Sequence, residues 1–161
     1  MKNKYFITTI VLLSFAIACK NEEKKVEPVK TTVASTLVGN FVTAEYEKRA
    51  DGYDWVGVMI SKTSDSTAHI SVRSRVDKKK ATCSFDAEGK FIGSDTLSAN
   101  YEGKIILFVF DGKALQINTA NKADSNLLNY FCSGGASLAG TYHKINEPLD
   151  KTQLDTTVSK N

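Results

Sequence analysis

His69, Arg73 and Arg75 stand at alternating positions of "STAHISVRSRV", and Lys78, Lys79 and Lys80 follow at once. Alternate positions of a strand share one face, so the imidazole and both guanidiniums point the same way and the lysines extend the charge past the strand end. A bidentate guanidinium suits a carboxylate or phosphate partner, which makes these six residues the leading candidate binding surface. The competing reading is a charged outer face that keeps a strand edge soluble. Other reactive types are arranged less suggestively. "CSGGAS" puts its glycines on the wrong side of Ser133 for a nucleophile elbow. It also lacks the lysine and hydroxyl residue of a phosphate loop. The two histidines, His69 and His143, lie in no nucleophile motif. Cys83, Cys132 and the histidines lack paired metal-ligand spacing. No catalytic residue, metal or cofactor is therefore assigned, and the chain reads as non-enzymatic. "ADGYDW" supplies Asp51, Tyr53, Asp54 and Trp55, a carboxylate and aromatic mixture of the kind that stacks on a sugar. Set against that, Asp51-Gly52 reads as a hairpin turn and Trp55 as the start of a core-facing strand.

Cys19 says more about location than these residues say about chemistry. Before it, "MKNKYFITTIVLLSFAIA" has a basic start at Lys2 and Lys4, an apolar run over residues 5–17 and small residues at the end, the parts of an export signal. The run is too short for a spanning helix, which needs about 20 apolar residues. Two cleavage readings compete. Ala16-Ile17-Ala18 fits an ordinary A-x-A site, while the same residues before a cysteine resemble the lipobox of bacterial lipoproteins, apart from Ala16 where leucine is usual. That resemblance implies that Cys19 is acylated, palmitate included, and becomes the mature N-terminus. Several acyl chains at ~0.8 kcal/mol per buried CH₂ hold a domain stably at a membrane. Lys20 and the Glu22-Glu23 pair resemble sorting signals of outer-membrane and surface lipoproteins, which implies an outer-membrane location on the periplasmic face or the cell surface. The expected division is a signal peptide over 1–18, a lipidated cysteine and flexible tether over 19–36, a β domain over 37–146 and a disordered tail over 147–161. The tether is charged, holds Pro28 and has little to bury. As a random chain it spans on the order of 20–25 Å.

Of the net charge of +3, two units belong to Lys2 and Lys4, so the mature chain lacks the basic excess of a nucleic-acid binder. With Cys19 lipidated, Cys83 and Cys132 remain as an even pair in an oxidising compartment, and a disulfide is expected. Closing that interval stabilises a fold by roughly 4 kcal/mol in the chain-entropy model.

The elements that must position these residues have period two. Ala68, Ile70, Val72 and Val76 alternate with the polar set that contains the arginines. "KIILFVF" is apolar on both faces, as a central buried strand would be. Glu88-Gly89-Lys90, Glu102-Gly103-Lys104 and Asp111-Gly112-Lys113 read as turns, the last as the firmest hairpin. Eight strands are expected, near 37–46, 53–62, 67–77, 81–87, 91–100, 104–110, 113–119 and 137–145, with a short helix within 121–131 before the last. Short links make neighbours antiparallel. The fold class is all-β, a single small antiparallel barrel or sandwich. "LVGNF" and "LAGTY" open the first and last strands alike, which suits chain ends that meet where a barrel closes.

Ser133-Gly134 and Lys144 resemble the Ser-Gly loop and nearby basic residue of the β-barrel lipoproteins that inhibit c-type lysozymes, although Ala136-Ser137 stand where an aromatic is expected. That resemblance implies an inhibitor protecting the cell wall. The primary reading is a membrane-anchored, non-enzymatic binding or envelope-interaction lipoprotein whose partner is an anionic envelope polymer or a protein, not nucleic acid. An envelope hydrolase ranks third. A deep apolar cavity would favour a small-ligand binder and a protruding polar loop an inhibitor.

Overall fold

The structure, a computed structural model, describes residues 36–77 and 80–154. The export segment, Cys19, most of the tether, Lys78, Lys79 and residues 155–161 lie outside the described residues. Eight strands follow one another around a closed antiparallel barrel: β1 Gly39–Val42, β2 Val56–Lys62, β3 Thr67–Ser74, β4 Ser84–Phe91, β5 Thr96–Tyr101, β6 Lys104–Phe110, β7 Ala114–Thr119 and β8 Gly140–Ile145. Closure comes from β1 pairing β8, with Phe41 opposite Lys144 and Val42 opposite His143. No edge is left to recruit a foreign strand. The expected single all-β domain of about eight strands is therefore a barrel rather than a sandwich, and the short helix before the last strand is α1, Leu127–Tyr130.

Alternation fills the barrel. Ala68, Ile70 and Val72 point inward from β3, opposite Gly89, Ala87 and Phe85 of β4, and Ile106, Phe108 and Phe110 point inward from β6. An eight-stranded barrel is just wide enough for side chains to fill it, and here they do. Phe85 stacks on Phe108 with ring centroids 6.2 Å apart, and Phe41 meets Phe110 edge-on at 5.7 Å. The doubly apolar "KIILFVF" is thus not buried on both faces. Ile105, Leu107 and Val109 are half-buried on the outside, since a closed barrel has no second layer over β6.

Turn chemistry agrees with the sequence at Asp111-Gly112 and Glu102-Gly103 and differs at Gly89. The Asp111 carboxylate accepts from the Lys113 and Ala114 amides at 2.8 Å each, and Gly112 has φ 92°. Gly89, by contrast, sits inside β4, and the turn falls at 92–95. What requires glycine there is proximity: a Cβ would lie 2.7 Å from Ile70 Cδ1 and 2.8 Å from Leu97 Cγ. Asp51-Gly52 is no hairpin either. It closes a run of 3₁₀ turns, Ala44–Asp51, that follows β1.

The disulfide joins Cys83, just before β4, to Cys132, just after α1. It staples the long β7–β8 connection to the barrel at one end, where Phe131 packs edge-on against Phe85 and Tyr101 at 4.7 and 4.8 Å. The chain after β8 departs from the expected disordered tail over its first eight residues. Leu149 and Leu154 are buried with Val42, Tyr46 and Trp55 in a second apolar cluster outside the barrel. Gln153 accepts from Trp55 Nε1 at 2.9 Å, and its carbonyl accepts from the Val76 amide at 2.9 Å. Two leucines among polar residues suffice to bury this segment, because the indole and Tyr46 present an apolar surface for them.

Candidate functional site: a groove on the outer face of β1–β4

The returning C-terminal segment does not cover the outer face of β1–β4 completely. Between them lies a groove of about 340 Å³. Its floor follows from register: Asn40 pairs Met59, Met59 pairs Ser71 and Ser71 pairs Asp86, one outward row across four strands. Ser61 and His69 form the next row, and Leu149, Lys151 and Leu154 make the opposite wall. Gly57 seats that wall, since a Cβ there would come within 2.7 Å of Leu149 Cδ1.

His69 and Arg73 both line this groove, as their shared face implies, but their states differ. Arg73 is only 5% exposed. Its guanidinium donates to both Asp86 carboxylate oxygens, at 2.9 and 2.7 Å, and to the Val72 and Phe85 carbonyls at 2.9 and 3.1 Å. A charge taken this far out of water requires such partners. The His69 side chain is about half exposed, with Nε2 3.8 Å from an Asp86 oxygen.

Arg75 lies past the end of β3, where it bridges to Leu154 and its amide donates to the Trp55 carbonyl at 3.0 Å. It donates to the Asp77 carboxylate and to the Arg49 and Tyr53 carbonyls at 2.8 and 2.9 Å. The hydrogen bond to Asp77 raises its pKa, and burial opposes that rise. The expected strip of outward, ligand-ready arginines is therefore corrected. Both arginines are spent tying strands and loops together, because β4 supplies Asp86 across the sheet and the chain itself supplies Asp77. Lys80 is exposed in the β3–β4 connection, away from the groove lining.

Ser133 and Gly134 do form an exposed loop, Gly134 and Gly135 having φ 67° and 82°. Lys144 is not beside it. That loop precedes β8, whereas Lys144 is near the strand's far end, turned inward over Phe41 and Phe110 with Nζ 5.6 and 5.8 Å from the ring centroids. It donates to the Thr36 carbonyl at 2.6 Å. The aromatic pair of "ADGYDW" also separates: Trp55 is buried in the outer cluster and Tyr53 is half exposed with Lys48 over its ring. Met59, Ser61, Asn40 and Lys151 were missed as site residues. The alternation about Val58 and Ile60 could have placed Met59 and Ser61 outward. Lys151 had no signal, because its position depends on the folded-back tail. Among the described residues no cluster of His, Cys, Asp and Glu could hold a metal ion.

No protein-family model, curated protein or solved structure matches the chain.

Proposed function

We propose that the chain is an exported lipoprotein, anchored through Cys19, whose barrel is a non-enzymatic binding module presenting the β1–β4 groove to an anionic envelope polymer or an acidic protein segment. The observation that carries this reading is the division of charge in the groove. The Arg73 guanidinium is neutralised by Asp86 inside the protein, while the half-exposed His69 imidazole and the exposed Lys151 ammonium face the open side. Apolar Met59, Leu149 and Leu154 give a partner something to pack on. Few precisely placed polar groups on an apolar concavity is the usual make-up of a recognition site. The basic contact thus passes from the arginines to His69 and Lys151. Buried rings such as Phe41, Phe85 and Phe108 occupy the barrel interior, which favours an outside site over a lipocalin-like one.

The exposed Ser133-Gly134 loop favours the lysozyme-inhibitor reading in one respect, and the inward Lys144 weighs against it. Retention of the full chain on immobilised polyglutamate separates the two. Lys151→Glu and His69→Glu should each reduce retention, and raised salt should abolish it, since exposed charges are screened within about 8–10 Å. Retention unaltered by both variants would remove the groove reading. A c-type lysozyme assay in which the chain inhibits, and Ser133→Trp releases inhibition, would establish the other.

A further inference from the structure

A second concavity, of about 330 Å³, lies at the barrel end that carries α1, between the β5–β6 turn and the α1 segment. Tyr101 and Tyr130 stand against each other there, ring centroids 6.0 Å apart and planes tilted by 45°. Packing accounts for Tyr101, which is half-buried edge-on against Phe131. Tyr130 meets Phe131 edge-on at 5.4 Å yet remains 71% exposed, the most exposed of the large aromatic rings among the described residues. Glu102, Lys104 and Asn126 rim the same concavity. Asn126 precedes α1 without its side chain capping the helix, and Lys104 Nζ is 3.8 Å from Asp124. Glu102 has φ 49°, the one non-glycine residue with positive φ among the described residues. Such a turn position favours glycine or asparagine. Burial, and after it the neighbouring Tyr130 hydroxyl, push the Tyr101 pKa up.

We propose that Tyr130 and Tyr101, with Glu102 and Asn126, form a binding site for a neutral saccharide ring. An exposed aromatic face offers a flat apolar platform with a polar tip. The rim supplies carboxylate, amide and ammonium groups, which match a ring that is apolar on its faces and hydroxylated at its edge. An anion would meet Glu102 and Asp124, and a purely apolar ligand would leave the rim unpaired. The chain enters the barrel at β1, at the end with the β2–β3, β4–β5 and β6–β7 turns, and in an antiparallel barrel the β5–β6 turn is at the other end. The cleft therefore lies at the barrel end opposite the one where the chain enters β1. This site is separate from the groove, and its ligand is uncharged.

Calorimetric titration of the full chain with chitotriose and with cellotriose tests the proposal. Saturable binding of at least one sugar is expected, with Tyr130→Ala weakening it roughly 3- to 10-fold, the worth of one aromatic contact. Tyr130→Phe should retain most of the affinity, and Tyr130→Ala should keep the wild-type melting temperature, because an exposed ring contributes little to stability. The groove variant Lys151→Glu should bind the sugar normally, so failure of the groove reading leaves this test intact. No saturable heat with either sugar up to about 20 mM, well beyond the millimolar range of weak recognition, would overturn the proposal. Binding indifferent to Tyr130→Ala would overturn it equally.

Discussion

Arg73→Met removes a guanidinium that is 5% exposed and leaves the Asp86 carboxylate, 9% exposed in its side chain, without its bidentate partner. The Val72 and Phe85 carbonyls lose a donor as well. Breaking a buried ion pair from one side costs about 3–5 kcal/mol, because the surviving charge stays out of water. Against a total stability of ~5–15 kcal/mol that is a large loss. It should lower the melting temperature by roughly 10–20 °C in a domain of this size. Denaturant unfolding with the disulfide intact gives the number. The double variant Arg73→Met, Asp86→Leu should recover most of the loss, since two apolar groups replace the pair and no charge is orphaned, and the cycle should return a coupling of ~2 kcal/mol or more. An outward surface arginine would instead give a change within about 0.5 kcal/mol. Arg73→Met at that level would refute the assignment of Arg73 to structure rather than to ligand contact.

Replacing Cys83 and Cys132 together by alanine should cost ~2–4 kcal/mol, read from the denaturation midpoint, and unchanged stability would show that the β7–β8 connection needs no staple. Leu149→Ala should cost roughly 2–3 kcal/mol, at the lower end for a buried leucine because the outer cluster can relax into the groove. Amide exchange should show the 147–154 segment opening before the barrel does. Asp111 has its pKa lowered from the ordinary 3.8 by hydrogen bonds from the Ala114 and Lys113 amides. Its stabilisation of the β6–β7 hairpin is therefore present above the unfolded-state pKa and fades as pH falls through the depressed folded value. Exchange protection at Lys113 and Ala114 followed by NMR below pH 4 should show that loss in the wild type, and Asp111→Asn should lack the pH dependence.

Strand alternation was the most legible part of the sequence. Inward Ala68, Ile70 and Val72 and the matching ends "LVGNF" and "LAGTY" carry the barrel and its closure, because burial on one face imposes period two. What stayed hidden depends on contacts between strands. Asp86 alternates outward in "SFDAEGKF", yet its meeting with Arg73 needs the β3–β4 register, which the nine-residue connection 75–83 does not disclose. Gly89 looked like a turn because a glycine needed for close packing and one needed for positive φ are the same letter. Lys144 shares its inward face with Tyr142, a spacing visible in "TYHKI", but an inward lysine is counter to burial preference until the rings of Phe41 and Phe110 and the Thr36 carbonyl are seen to hold it. The tail was misread because its few apolar residues, Leu149 and Leu154 among them, stand in a polar run, and the leucines' partners Tyr46 and Trp55 are far away in sequence.

Whether a lipid holds the barrel at the envelope is decided by intact-mass analysis of the mature chain purified from the membrane fraction of its own host, with Cys19→Ser alongside. The expected mature N-terminus is Cys19 carrying acyl chains, and the Cys19→Ser chain should leave the membrane fraction. A mature chain with an unmodified Cys19, or one found in the soluble fraction whichever residue stands at position 19, would contradict lipid anchoring.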